Sequence, residues 1–217
     1  MNINEAVQNL NLPIQKKIEE QKRIATEILK TLHWEGHTDA IIAGGAPRNW
    51  QFGIEARDLD VYFTKTISNS RIDYLFKDKI DIDTGACIQL GKPGYLDEPY
   101  YGGNNTIKKV KETCIEGMKV QFITSNPSRV FENIQPSNYK DINFAYVLFK
   151  TFDIGICKIG FRKEGNYIFS SDFNVDKENK KLTIKINELK LINDLKNLPK
   201  RIEKLKKYFP DHELNII

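Results

Sequence analysis

Two carboxylates two positions apart, Asp58 and Asp60, stand in the stretch Asp58-Leu59-Asp60-Val61-Tyr62-Phe63. Its alternation of polar and apolar residues predicts a strand. In a strand, side chains repeat every two residues, so both carboxylates fall on one face while Leu59, Val61 and Phe63 enter a core. Carboxylates held side by side repel each other, and a cation relieves the repulsion. Hard oxygen ligands of this kind suit magnesium, above all when substrate phosphates complete its shell.

The elements that must position this pair are written just upstream. An apolar run at 39–43 reads as a buried strand and is broken by Gly44 and Gly45. Glycines let a backbone turn tightly and approach a ligand closely. Pro47 suits the first turn of a helix, which is expected to end near Gly53. The free amides and partial positive charge at that helix start suit a phosphate.

The stretch resembles the signature of the DNA-polymerase-β-like nucleotidyltransferase superfamily, and within it the head domain of tRNA nucleotidyltransferases and bacterial poly(A) polymerases. That signature is Gly-Gly-x-x-Arg-Asp, a Gly, then Asp-x-Asp. Gly44, Gly45, Arg48, Gly53, Asp58 and Asp60 fall on it over 17 residues without insertion or deletion, and Asn49 stands where the family has Asp. The resemblance extends loosely over 40–161. It implies an α/β (α+β) palm, with a mixed, mainly antiparallel sheet covered on one side by helices. It also implies transfer of a nucleoside monophosphate from an NTP to an acceptor hydroxyl, with release of pyrophosphate. Asp58 and Asp60 would hold two Mg²⁺ ions. Gly44 and Gly45 would donate backbone hydrogen bonds to the triphosphate. Arg48 would either contact a phosphate or brace the Asp strand. The superfamily uses a third carboxylate on a neighbouring strand. Asp153, in the apolar β-prone run at 151–161, is the candidate and Asp141 the reserve.

Other groups have plainer readings. Asp81 and Asp83 repeat the Asp-x-Asp pattern without the glycine element. His33 and His37, spaced by four, lack a partner motif and read as a helix end. Tyr95, Tyr100 and Tyr101 lie in the turn-rich stretch 91–105, where they would either stack on a base or form a surface loop.

The remaining elements follow from periodicity. An amphipathic helix is predicted over 13–34, with Ile14, Ile18, Ala25, Ile28, Leu29 and Leu32 on one face. A short helix is expected at 68–79. Strands are expected at 106–114 and 119–124 around Gly117, and a helix at 127–134. Further strands are expected at 165–170 and 182–186. A helix from 187 gives way at Pro199 to a second helix reaching about Tyr208. Residues 1–186 are thus expected to form the nucleotidyltransferase domain and 187–217 a basic helical extension.

At 217 residues the chain is long enough to bury a sizeable core. It contains no apolar run that would span a bilayer and no secretory leader pattern. Three cysteines, Cys87, Cys114 and Cys157, without CxxC spacing, favour a reducing cytoplasm and disfavour a zinc site. Oligomeric state is not encoded legibly.

Charge is lopsided. Residues 177–207 hold eleven Lys and Arg against four Asp and Glu, a net of +7 in a chain of net +4. A basic stripe suits a phosphate-rich partner such as RNA or tRNA, and equally a solvated lysine-rich face. The Glu-Asp-x-x-Arg base-reading element of full-length tRNA nucleotidyltransferases is not evident. The acceptor therefore stays open between an RNA 3′ end and a protein or small molecule, with a non-catalytic nucleotide-binding module as the third reading.

Overall fold

The computed structural model describes residues 3–80, 107–125, 144–185 and 192–217. The chain opens with a long helix, α1 (Ile3–Trp34). Ile18, Ile24, Ala25, Ile28, Leu29 and Leu32 of α1 are buried. Ile14, expected on that face, is 41% exposed because it precedes the contact region. Next come β1 (Ile41–Ala43), α2 (Gly45–Gln51), β2 (Asp58–Phe63) and α3 (Asn69–Leu75), the last capped by the Ser68 hydroxyl accepting from the Arg71 amide. The hairpin β3 (Ile107–Ile115) and β4 (Met118–Ser125) turns through Glu116 and Gly117, both at positive φ. After it follow α4 (Phe144–Phe149), a 3₁₀ turn (Gly155–Cys157), β5 (Ile159–Phe161), β6 (Tyr167–Phe169) and α5 (Ser171–Asn179). The chain closes with β7 (Lys181–Ile184), α6 (Ile192–Tyr208) and β8 (Glu213–Ile216).

Six strands form one sheet in the order β3-β4-β2-β1-β5-β6. All neighbours are antiparallel except β2 and β4. This is the mixed, mainly antiparallel sheet expected. β2 therefore lies inside the sheet, flanked on both sides, and its register is fixed by two ladders.

One sheet face buries Ile42, Leu59, Val61, Phe63, Val120, Phe122 and Phe161 under α1, α2 and α3 in the largest core cluster. The other face is not bare. Ile41 and Ala43 pack under α4, through Phe144, Val147, Leu148 and Phe149, with Tyr62 and Phe152 beside them. Helices thus lie on both sides, where one-sided cover was expected.

The C-terminal residues contribute a third cluster of their own. Ile154, Ile156, Ile159 and Phe173 pack with Leu182, Ile184, Leu198, Leu205 and Phe209. Two expectations are corrected here. Pro199 lies inside one continuous helix rather than opening a second. The segment is also not purely helical, since β8 pairs in parallel with β7 in a separate two-stranded sheet.

Candidate functional site

β2 emerges as expected, with Leu59, Val61 and Phe63 fully buried and Asp58, Asp60 and Tyr62 half-buried on the opposite side. The approach to the strand is fastened from α1. The buried Gln21 amide donates to the Ala56 carbonyl at 2.9 Å, and its oxygen accepts from the Ala56 amide and the Trp50 indole, each at 2.9 Å. One glutamine thus sets the spacing between α2 and the start of β2. Sequence reasoning placed it on no face, because its partners lie 29 and 35 positions away.

Parallel pairing puts Lys119 opposite Asp58 and Gln121 opposite Asp60. One strand further, Glu112 pairs with Gln121, so it shares the carboxylate face. Lys119 Nζ lies 3.0 Å from Glu112 Oε1, and Gln121 Nε2 also donates to that oxygen. Glu112 is a residue that motif reading missed, since only the register brings it to this side. Among the described residues, neither Asp58 nor Asp60 has a hydrogen-bond or ion-pair partner. Burial, with the neighbouring Asp58 charge next, pushes the Asp60 carboxyl up to about 7, against smaller opposing effects of Lys204 and Lys119. Neither lysine forms a direct ion pair with the two carboxylates, so their repulsion is only partly offset, which is the condition that a divalent cation relieves.

The turn before α2 has the conformation that its glycine requires. Gly44 adopts φ 84° and ψ −117°, a region closed to side-chain-bearing residues. Its amide donates to the Ile159 carbonyl at 3.0 Å. This is the N–H expected to donate to a phosphate, and it faces β5. Gly45 opens α2, no side chain caps the helix start, and Pro47 has no N–H to cap.

Arg48 is buried. Its Nε and Nη2 donate to Asn49 Oδ1 at 3.1 and 2.8 Å, its Nη1 to Cys157 Sγ at 3.0 Å, and its guanidinium lies 5.6 Å from the Phe209 ring centre. These are the contacts of a brace between α2, the 3₁₀ turn and the end of α6. Asn49 supplies a neutral oxygen where the resembled family has a carboxylate.

Asp153 is placed elsewhere. The strand expected over 151–161 is a bend, a single bridge from Ile154 to Ile184, a 3₁₀ turn and the short strand Ile159–Phe161. Asp153 is 7% exposed, and both its oxygens accept from Arg201 of α6 at 2.6 Å. Its buried charge does have a partner, as its apolar setting demanded, but the partner is a guanidinium 48 positions away. Among the described residues, no group of three or more His, Cys, Asp or Glu side chains is placed to hold a metal. Phe152 next door touches the Gly44 position and lies 5.9 Å from the Tyr62 ring.

His33 and His37 do not converge. His33 Nε2 lies 3.0 Å from Lys163 Nζ, whereas His37 is buried edge-on against Phe63, where burial lowers its pKa. Among the described residues, Cys157 is a free cysteine. Among the described residues, no helix is long and apolar enough to cross a membrane. Asp81, Asp83, Cys87, Tyr95, Tyr100, Tyr101, Asp141 and the helix expected at 127–134 lie outside the described residues.

No family model and no curated protein matches the sequence. Solved structures do match the fold. A tRNA-processing enzyme in an apo form superposes with a TM-score of 0.50 at 16% identity, over 76% of this chain and 37% of that one. A CCA-adding enzyme in complex with CTP gives a TM-score of 0.48 at 12% identity, over 81% and 36%. The Thermotoga maritima CCA-adding enzyme complexed with tRNA gives 0.46 at 11%, over 82% and 35%. The chain spans little more than a third of the length of these proteins. Over the residues that superpose, the fold is that of the tRNA-processing enzyme.

Proposed function

We propose, from this shared fold and from the carboxylate pair within it, whose repulsion is only partly offset, that the protein transfers a nucleoside monophosphate from an NTP to an acceptor hydroxyl. In that reaction the acceptor oxygen forms a bond to the α-phosphorus, the α–β bridging bond breaks, and pyrophosphate leaves. The observation that carries the reading is Asp60. It is half-buried on the central strand beside Asp58, pushed up to about 7 and unpartnered among the described residues, on the sheet face bordered by the Gly44 turn.

These residues fit a divalent cation. Two oxygen ligands on one strand face, with repulsion that the fold only partly offsets, match the hard-ion chemistry of magnesium. Asp58 and Asp60 would hold it. When bound, magnesium supplies Lewis acidity that lowers the acceptor hydroxyl pKa and offsets charge on the leaving pyrophosphate. The rest of the work belongs to the chain. The uncapped start of α2 at Gly45 offers amide donors and a partial positive charge to the triphosphate. Gly44 contributes the turn that lets the phosphates approach. Arg48, bonded to Asn49 and Cys157, keeps that turn in place. Lys204 and Lys119 moderate the charge at Asp60. Asp153, first read as a third ligand, would act here by holding Arg201 and with it α6.

We take RNA as the acceptor because 177–207 carries a net charge of +7. Incubation with each α-labelled NTP, Mg²⁺, and cellular RNA and protein fractions tests the reading. Label in RNA that disappears in Asp58→Ala/Asp60→Ala supports it. Label in protein moves the acceptor, and absence of Mg·NTP binding overturns the enzyme reading.

A further inference from the structure

One of the two tryptophans is used by the core and the other is not. Trp50 is 5% exposed and bonded to Gln21, whereas Trp34 at the end of α1 is 88% exposed. An indole left in water loses the hydrophobic gain that tryptophan ordinarily contributes, so its position needs a reason. Trp34 forms one wall of an open cleft of about 420 Å³, whose other walls are Thr26 and Lys30 of α1 and Lys163, Glu164 and Gly165 of the β5–β6 turn. This cleft does not belong to the carboxylate site. It sits on the side of the sheet that α1 covers, whereas Asp58 and Asp60 are on the opposite side.

The charges around the indole are those of an anion-receiving surface. Lys30 is exposed, and among the described residues its ammonium has no ion-pair or hydrogen-bond partner. Lys163 has only Glu164, at 3.7 Å and solvent-exposed, besides His33 at 3.0 Å. An ion pair of that kind is weak and readily exchanged. An aromatic face flanked by lysines is the combination by which single-stranded nucleic acid is held, the base stacking on the ring and the ammonium groups meeting the phosphates. The cleft is also open rather than enclosed, so a continuous strand can pass through it.

We infer that the Trp34–Lys30–Lys163 cleft is a docking site for a single-stranded segment of RNA, separate from the reaction centre and serving to hold the acceptor. The inference deepens the RNA reading of the function, but its test needs no turnover. Trp34 and Trp50 report separately, one exposed to quenching and the other buried.

Fluorescein-labelled oligo(A) and oligo(U) ribonucleotides are titrated with the full chain, without metal or NTP, the anisotropy of the label reporting binding in every variant and tryptophan emission reporting Trp34. The expected result is saturable quenching of the exposed fraction by single strands and little by duplex RNA. Replacing the ring in Trp34→Ala weakens binding by about tenfold. Lys30→Glu/Lys163→Glu weakens it by a similar factor and lowers the salt dependence. The Trp50 emission confirms that each variant is folded. RNA binding unchanged in both variants overturns the inference, as does an absence of quenching. A Trp34 signal that changes with protein concentration alone also overturns it, since the cleft would then seat a second copy. A protein that binds RNA through this cleft yet transfers no nucleotide would leave the inference standing and remove the enzymatic reading, so the two fail separately.

Discussion

Asp60 and Asp153 are both aspartates withdrawn from water, and the fold treats them in opposite ways. Asp153 has two hydrogen bonds of 2.6 Å from one guanidinium. Asp60 has another carboxylate for its neighbour, and its proton is retained up to about pH 7. Burial of a charge is expensive without a counterion. A protein that can supply Arg201 to one aspartate and withholds such a partner from the other separates structural from reactive carboxylates. Burial is thus a poor guide to metal ligation, and unpaired charge is a better one.

The sharpest way to break the contrast is to remove the unpaired carboxylates. Asp58→Ala/Asp60→Ala is expected to lower labelled-nucleotide transfer by at least about a thousandfold, as several kcal/mol of transition-state stabilisation is lost. Its metal-free thermal stability at pH 8 is expected to rise rather than fall. Asp153→Asn should do the reverse. It removes the charge from the carboxyl that holds Arg201 through two 2.6 Å hydrogen bonds and costs about 2–3 kcal/mol in denaturant unfolding, while Mg²⁺ affinity at low temperature stays within about twofold. A loss of Mg²⁺ affinity matching that of Asp60→Asn would restore Asp153 as a ligand.

The pH dependence sharpens the same comparison. Asp60 has a folded pKa raised to about 7 from an ordinary 3.8. Between those values the folded state binds the proton that the unfolded state has released, so metal-free stability declines as pH rises from about 4 to 7. Asp60→Asn is expected to flatten that decline, by on the order of 2 kcal/mol in pH-dependent melts. Protons compete with the cation over the same range, so apparent Mg²⁺ affinity should fall toward tenfold per unit below pH 7, measured by calorimetry. A smaller effect is expected at Gln21. Gln21→Ala removes three buried hydrogen bonds around Trp50 and Ala56 and should cost about 2 kcal/mol, with KM for NTP rising more than kcat falls. Smallest of all, Lys17→Ala deletes an exposed pair with Glu55 at 3.3 Å and should change stability by less than about 0.5 kcal/mol.

What was legible in the sequence was local. The period of two in β2, the Gly44 break and the Gly117 turn are set by neighbours in the chain, and each stands where expected. The readings that failed depend on partners far away. Asp153 was read as a strand residue beside Asp58 because nothing near it names Arg201. Glu112 was passed over because only the β2–β4–β3 register brings it to the carboxylate face. The bond from the Gly44 amide to Ile159 is likewise invisible locally, since its acceptor lies on a strand far along the chain. Pro199 was read as a helix start because proline has no amide to donate, and the structure tolerates it within α6.

The pairing of β1 with β5 has a consequence for the order in which the molecule is made. It joins Ile42 to Phe161 and Ala43 to Gly160, and a side chain at Gly160 would run into that of Ile41. The hairpins β3–β4 and β5–β6 can close as soon as their own residues exist, but this seam cannot, because contacts so distant in sequence form slowly. During synthesis the carboxylate strand and the phosphate turn therefore emerge before β5 and wait for it. The Gly44 amide meets its acceptor only after residue 159 has been made. The site is written before the strand that completes it, and takes shape only once that strand is in place.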